Sequence, residues 1–101
     1  MKKKLTGAQR KWLRGQAHSL KPVVQLGKQG LSEAVIQQVD AALDDHELIK
    51  VQAVGDKEEK QEIGARLAAE LGAEAVGLIG HILILYRQQP DREKRKIQLP
   101  R

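Results

Sequence analysis

Residues Ile82-Leu83-Ile84-Leu85-Tyr86 are apolar in unbroken succession. A strand sends alternate side chains to opposite faces, so this one must be central in its sheet or covered on both faces. The run before it, Ala75 to Ile79, is separated by Gly80-His81. A two-residue connection with glycine first suits a type II′ turn, which makes the pair an antiparallel hairpin. Two further stretches read as strands: Val23-Val24-Gln25-Leu26, and Glu47 to Val54, whose alternation places Lys50 and Gln52 on one face.

Three helices fit between them. Residues 5–20 open with Thr6 as a cap, and Leu5, Ala8, Trp12, Leu13 and Ala17 form an apolar stripe. Ser32 caps a second helix with Val35, Val39 and Leu43 at four-residue spacing. Leu31 and Ile36 supply its hydrophobic staple, and Asp44-Asp45-His46 is expected as a polar break after it. Asp56 caps a third helix with Ile63, Leu67, Ala68 and Leu71 inward, Lys57, Lys60 and Glu62 outward, and Gly72 as terminator. The order is α-β-α-β-α-β-β, a small single α/β domain with a mixed four-stranded sheet. The first two strand-helix-strand links are expected as right-handed parallel crossovers. The domain is expected over residues 1–90, with 91–101 a flexible basic tail broken by Pro90 and Pro100.

The net charge of +5 hides a sharper division. Residues 1–32 carry eight Lys or Arg and no acid; residues 33–86 carry eleven acids against four bases; residues 87–101 carry six bases against two acids. A solvated surface ordinarily intersperses the signs, so basic ends suggest a polyanionic partner, nucleic acid ahead of anionic membrane. The absence of cysteine removes disulfides and thiolate metal sites and suits a reducing compartment, so a cytoplasmic location is expected. The longest nearly apolar run, Ala73 to Tyr86, is too short to span a bilayer.

Within the basic part, Gly27-Lys28-Gln29-Gly30 joins the first strand to the Ser32 helix. Glycines permit close approach of a phosphate backbone, Lys28 adds charge, and a helix N-terminus favours anions. With nine glycines in the chain, about one such spacing arises by chance, and Gly77-Leu78-Ile79-Gly80 is a second instance with an apolar filling. The candidate phosphate contacts are therefore Gly27, Lys28, Gln29 and Gly30, extended by Lys2, Lys3, Lys4, Arg10, Lys11, Arg14 and Lys21. The tail is available to add further contacts.

Enzymatic chemistry finds little support. His18, His46 and His81 lie in separate elements without paired ligand spacing, so no metal site is expected. Asp44, Asp45 and Glu47 read as a solvated loop, and no Gly-Lys-Ser/Thr follows the glycine turn as a nucleotide loop requires. No enzyme, cofactor or small-molecule substrate is expected. Trp12 and Tyr86 are the only aromatics, too few for a sheet that stacks successive bases. Recognition of backbone and shape remains, which suits structured RNA. The competing reading is a protein-interaction module that docks its partner on the acidic middle.

Taken together, LRGQAHSLKP, VVQLGKQGLSEAVIQQVDAALDDHELIKV and ELGAEAVGLIGHILILYR resemble, in order, the CRM domain (chloroplast RNA splicing and ribosome maturation), most closely its bacterial single-domain YhbY-type form. The resemblance covers about residues 3 to 90. It implies a fold similar to the C-terminal domain of translation initiation factor three, RNA binding through a KH-like Gly-x-x-Gly loop, and association with precursors of the large ribosomal subunit. It also adds Lys50, at the basic position of HELIKV, and Arg87, at that of the LYR ending, to the RNA-binding set. The chain is expected to act as a monomer.

Overall fold

A computed structural model describes residues 4–27 and 30–100. The elements follow as α1 (Gly7–Ala17), β1 (Pro22–Gln25), α2 (Glu33–His46), β2 (Leu48–Gln52), α3 (Lys57–Leu71), β3 (Glu74–Ile79), β4 (Ile82–Tyr86) and a 3₁₀ turn at Arg92–Lys94. The α-β-α-β-α-β-β order is as the sequence implies. The four strands form one sheet in the order β1-β2-β4-β3. β1 and β2 are parallel, while β4 runs antiparallel to both β2 and β3. The first crossover thus joins adjacent strands. The second joins parallel strands that β4 separates, so the strand that is apolar on both faces lies between two others.

Alternate residues of β4 feed two cores. Leu83 and Leu85 join Val24, Val39, Leu43, Ile49, Val51 and Leu67 beneath α2 and α3. Ile84 and Tyr86 join Leu13, Ala17, Leu48 and Val76 beneath α1. Val76, next to Ala75, reaches that second core by alternation, and the β3–β4 register then shifts between Ala75 and Gly77. Without the shift, Ala75 and Leu78 could not both pack toward α2 and α3.

The helix starts follow the capping residues. Thr6 and Gln9 form a reciprocal capping box, the Ser32 hydroxyl accepts from Val35 N at 3.2 Å, and Asp56 Oδ1 accepts from Glu59 N at 2.8 Å. That backbone hydrogen bond holds the Asp56 carboxyl below its ordinary value. α3 ends on Gly72 in the left-handed region, φ 62°.

Three expectations need correction. Asp44-Asp45-His46 is no break but the exposed last turn of α2, which runs through His46 and stops where Glu47 takes φ 64°. Lys60 is not on the wet face. It is 7% exposed and donates to Gly80 O at 2.7 Å, tying α3 to the hairpin turn. Finally, the segment after Pro90 is docked: Ile97 and Leu99 pack on the α1-side core, and backbone amides there bind the buried Glu47 carboxylate. Its composition alone suggests disorder; two apolar side chains and one buried acceptor give it somewhere to bind.

Candidate nucleic-acid interface

β1 delivers the chain to the glycine turn. Leu26 is buried, and its N–H donates to Gln52 O at 2.8 Å, so the sheet fixes the turn up to Gly27. Gly30 N–H donates back to Gly27 O at 3.0 Å. Gly30 takes φ 73°, which explains glycine there by conformation alone. Gly27 has no such need, and a Cβ built on it would meet no described atom within 4 Å. Open space in front of a glycine that the fold does not require is what close approach of another backbone would use. The second Gly-x-x-Gly stretch differs. A Cβ on Gly77 would come within 2.8 Å of Arg14 Cδ, so this glycine serves packing. Ser32 already satisfies one N–H of the α2 N-terminus, and Glu33 beside it carries negative charge, so the helix end is a weaker anion site than the turn before it. Lys28 and Gln29 lie outside the described residues, as do Lys2 and Lys3.

The structure separates the remaining candidates into two kinds. Lys4, Lys11 and Lys21 are exposed and make no ion pair with a described residue. Arg10, Arg14, Lys50 and Arg87 are occupied within the fold. Arg10 donates to Ala75 O at 3.0 Å and to Glu74 Oε2 at 2.9 Å, and Arg14 to Val76 O at 2.9 Å. These two guanidiniums dock α1 onto β3, at the irregular register where its carbonyls are available. Lys50 Nζ donates to His18 O at 3.2 Å, beneath the end of α1. Arg87 reaches Asp40 Oδ1 at 2.6 Å, Asp40 O at 2.9 Å, Asp44 Oδ1 at 2.9 Å and Leu71 O at 3.0 Å. Its side chain is only 15% exposed, and it joins α2 to the last turn of α3. A guanidinium with two carboxylates and two carbonyls around it has little left for a phosphate.

The exposed charge is separated in space as it is in sequence. α2 carries Glu33, Asp40, Asp44 and Asp45 with no Lys or Arg, and α3 carries four acids against three bases. On the opposite sheet face α1 carries Arg10, Lys11 and Arg14 and no acid. The C-terminal end joins that face, since Gln9 Nε2 donates to Pro100 O at 2.9 Å. One side of the sheet is therefore acidic and the other basic. Tyr86 is buried in the α1-side core and Trp12 packs half-buried against it, so the described residues offer no row of exposed aromatics for stacking successive bases.

Residues 5–87 match the family model for the CRS1/YhbY (CRM) domain. The chain belongs to that family. An RNA-binding protein of Haemophilus influenzae is 49% identical over 98 residues, covering 96% of each chain. YqeI of Bacillus subtilis is 36% identical over 97 residues, covering 95% of this chain and 99% of its own. The solution structure of a Staphylococcus aureus protein superposes with a TM-score of 0.82 at 35% identity, covering 96% of this chain and all of that one. The CRM fold thus accounts for the three helices and mixed sheet. Within this CRM domain the sequence reading missed two residues, Glu47 and Lys60. Nothing local marks either as buried; only the long-range partners at Gln89, Lys96, Ile97 and Gly80 do. Among the described residues no three His, Cys, Asp or Glu side chains group as metal ligands, and no helix is long and apolar enough to cross a membrane.

Proposed function

We propose that this chain is a non-catalytic RNA-binding protein of the cytoplasm that associates, as a monomer, with precursors of the large ribosomal subunit. The observation that carries the reading is the open Gly27 turn at the end of β1, together with a separate basic face, on a CRM-family domain. Phosphate approaches the main chain at Gly27 and Gly30, and Lys28 and Gln29 between them supply charge and a hydrogen-bonding side chain. Lys4, Lys11 and Lys21, with Lys2 and Lys3 in the same basic stretch, extend the track. Arg10 and Arg14 contribute to the field while their guanidiniums hold β3; Lys50 and Arg87 act as supports of the fold. The name of the Haemophilus influenzae relative supports an RNA partner. The burial of Tyr86 and the half-burial of Trp12 against the same core support backbone and shape recognition, which suits folded ribosomal RNA. The family resemblance supports the large subunit as the destination.

Replacing Lys28 and Gln29 together by Asp is the direct test. Affinity for ribosomal RNA should fall while circular dichroism stays as in the unaltered protein. Unchanged affinity in that folded variant removes the turn from the mechanism. In cells, crosslinked reads should concentrate in unprocessed large-subunit ribosomal RNA. Reads spread over messenger and transfer RNA would retain RNA binding and remove the ribosomal assignment.

A further inference from the structure

The segment after β4 is built around a single buried carboxylate. Glu47 is 1% exposed and is the one non-glycine residue with positive φ among those described. Its Oε2 accepts from Gln89 N at 2.9 Å, and its Oε1 from Lys96 N at 2.5 Å and Ile97 N at 2.9 Å. One side chain therefore holds both ends of the loop 89–97. Inside the loop, Asp91 Oδ1 accepts from Glu93 N at 3.0 Å and Arg95 Nε donates to Gln89 O at 2.7 Å. Ile97 and Leu99 then lie on the α1-side core. A buried charge and a left-handed non-glycine residue are both unfavourable unless the surroundings fix them. What they fix here is an otherwise polar, charged segment that would not order itself.

The outward side of that loop is cationic. Arg92, Lys94 and Lys96 are exposed and make no ion pair with a described residue. A depression of about 720 Å³ beside them is lined by Gln88, Arg92, Arg95, Lys96 and Gln98 among others. Its lining offers donors suited to phosphate oxygens.

We infer that this C-terminal strap is a second binding surface for RNA backbone, distinct from the glycine turn, with Glu47 as its positioning residue. The inference rests on the RNA-binding reading above. The two surfaces lie toward opposite ends of the sheet: Leu26 bonds to Gln52 at one end of β2, while Leu48 at the other end pairs with Tyr86, from which the strap departs. From Leu48 to Gln52 the four steps of β2 separate them by roughly 13 Å at about 3.3 Å per residue. The partner is then a continuous RNA duplex long enough to reach both. Two linked weak contacts bind it far better than either alone.

The test uses a fluorescein-labelled RNA hairpin with a long duplex stem, and a short-stemmed one that cannot reach both surfaces. Affinity is read by fluorescence anisotropy across a salt series. In the full chain, R92E/K94E/K96E alters only exposed side chains. Affinity for the long hairpin should fall at least about tenfold, and the log–log salt slope should flatten by about 2 for three lost phosphate contacts. The short hairpin should respond far less. If the folded variant binds the long hairpin as the parent does, the strap site is overturned, while the Lys28 and Gln29 replacement still reports on the turn. If the parent protein binds neither hairpin, the RNA reading itself fails, and the strap site with it. Glu47→Gly removes the carboxylate, relieves the positive φ and leaves every cation in place. Hydrogen exchange should show lost protection at the Gln89, Lys96 and Ile97 amides, with weaker binding of the long hairpin. Parental affinity despite those freed amides would overturn the positioning role.

Discussion

The two faces of the sheet are lined by alternate residues of the same strands, yet they are covered in different ways. Beneath α2 and α3, two helices enclose ten buried residues and turn an acidic surface to solvent. On the other face a single helix, α1, with the strap beside it, encloses only six, under a basic surface. One helix cannot cover four strands, so the strap completes the layer with Ile97 and Leu99. A groove of about 460 Å³ still remains between Leu20, Val23, Leu48 and Ile97. The lesson is one of division: the thickly covered face carries stability, and the thinly covered face is where charge is left free to act.

Hollowing each face from the same strand tests that division most directly. Leu85→Ala, in the core beneath α2 and α3, should destabilise by about 3–5 kcal/mol in urea titration; Ile84→Ala, its neighbour on the α1 side, should fall nearer 2–3 kcal/mol. A reversed order would show that α1 and its strap carry the larger share of stability. Next in size is Arg87→Ala, which leaves Asp40 and Asp44 without their cation and should cost about 1–3 kcal/mol. Its salt slope for RNA binding should stay as in the parent, because Arg87 belongs to the acidic side; a slope reduced by about 0.7–0.9 would make it a phosphate contact after all.

Charge reversal sharpens the same contrast. Lys11→Glu with Lys21→Glu should weaken RNA binding by about tenfold at low salt, whereas Glu58→Lys with Glu62→Lys on α3 should not weaken it. If the α3 changes weaken binding and the α1 changes do not, the acidic face is the docking surface. The smallest effect concerns Tyr86, whose hydroxyl is buried without a hydrogen-bond partner among the described residues. Burial, with the nearby Glu47 charge behind it, raises its pKa above the ordinary 10.0. The unfolded chain therefore ionises first. The stabilising neutral form counts fully below pH 10.0 and is lost as pH rises toward the folded value. Tyr86→Phe should gain up to about 1 kcal/mol at neutral pH and flatten the alkaline limb of the stability profile.

Much of this architecture is legible in the residues themselves. The caps Thr6, Ser32 and Asp56, the terminator Gly72, and the doubly apolar β4 all act through neighbours in sequence or through burial that composition announces. The open space at Gly27 bears out nothing by itself, but it gives the Gly-x-x-Gly spacing a physical distinction from the one at Gly77. What was hidden is long-range. Arg10, Arg14 and Arg87 look alike as surface cations in a basic chain, and only β3 carbonyls and α2 carboxylates reveal them as braces. Glu47 sits beside Asp44 and Asp45 and shares their chemistry, yet it alone turns inward, because its acceptors are met by amides more than forty residues away.

The placement of β4 has a temporal consequence. It is the last strand in the chain, yet it pairs with both β2 and β3, which do not touch each other through the sheet. No nascent fragment ending before residue 82 can close the sheet, and neither core can form without Leu83, Ile84, Leu85 and Tyr86. During synthesis the basic N-terminal helix is therefore displayed well before the domain that will hold it exists. Folding waits for the insertion of one strand into a gap, a non-local step that is slow by nature. A separately made peptide carrying residues 80–101 should complement a fragment ending at residue 79, and the chain would then be assembled in two pieces around its own middle.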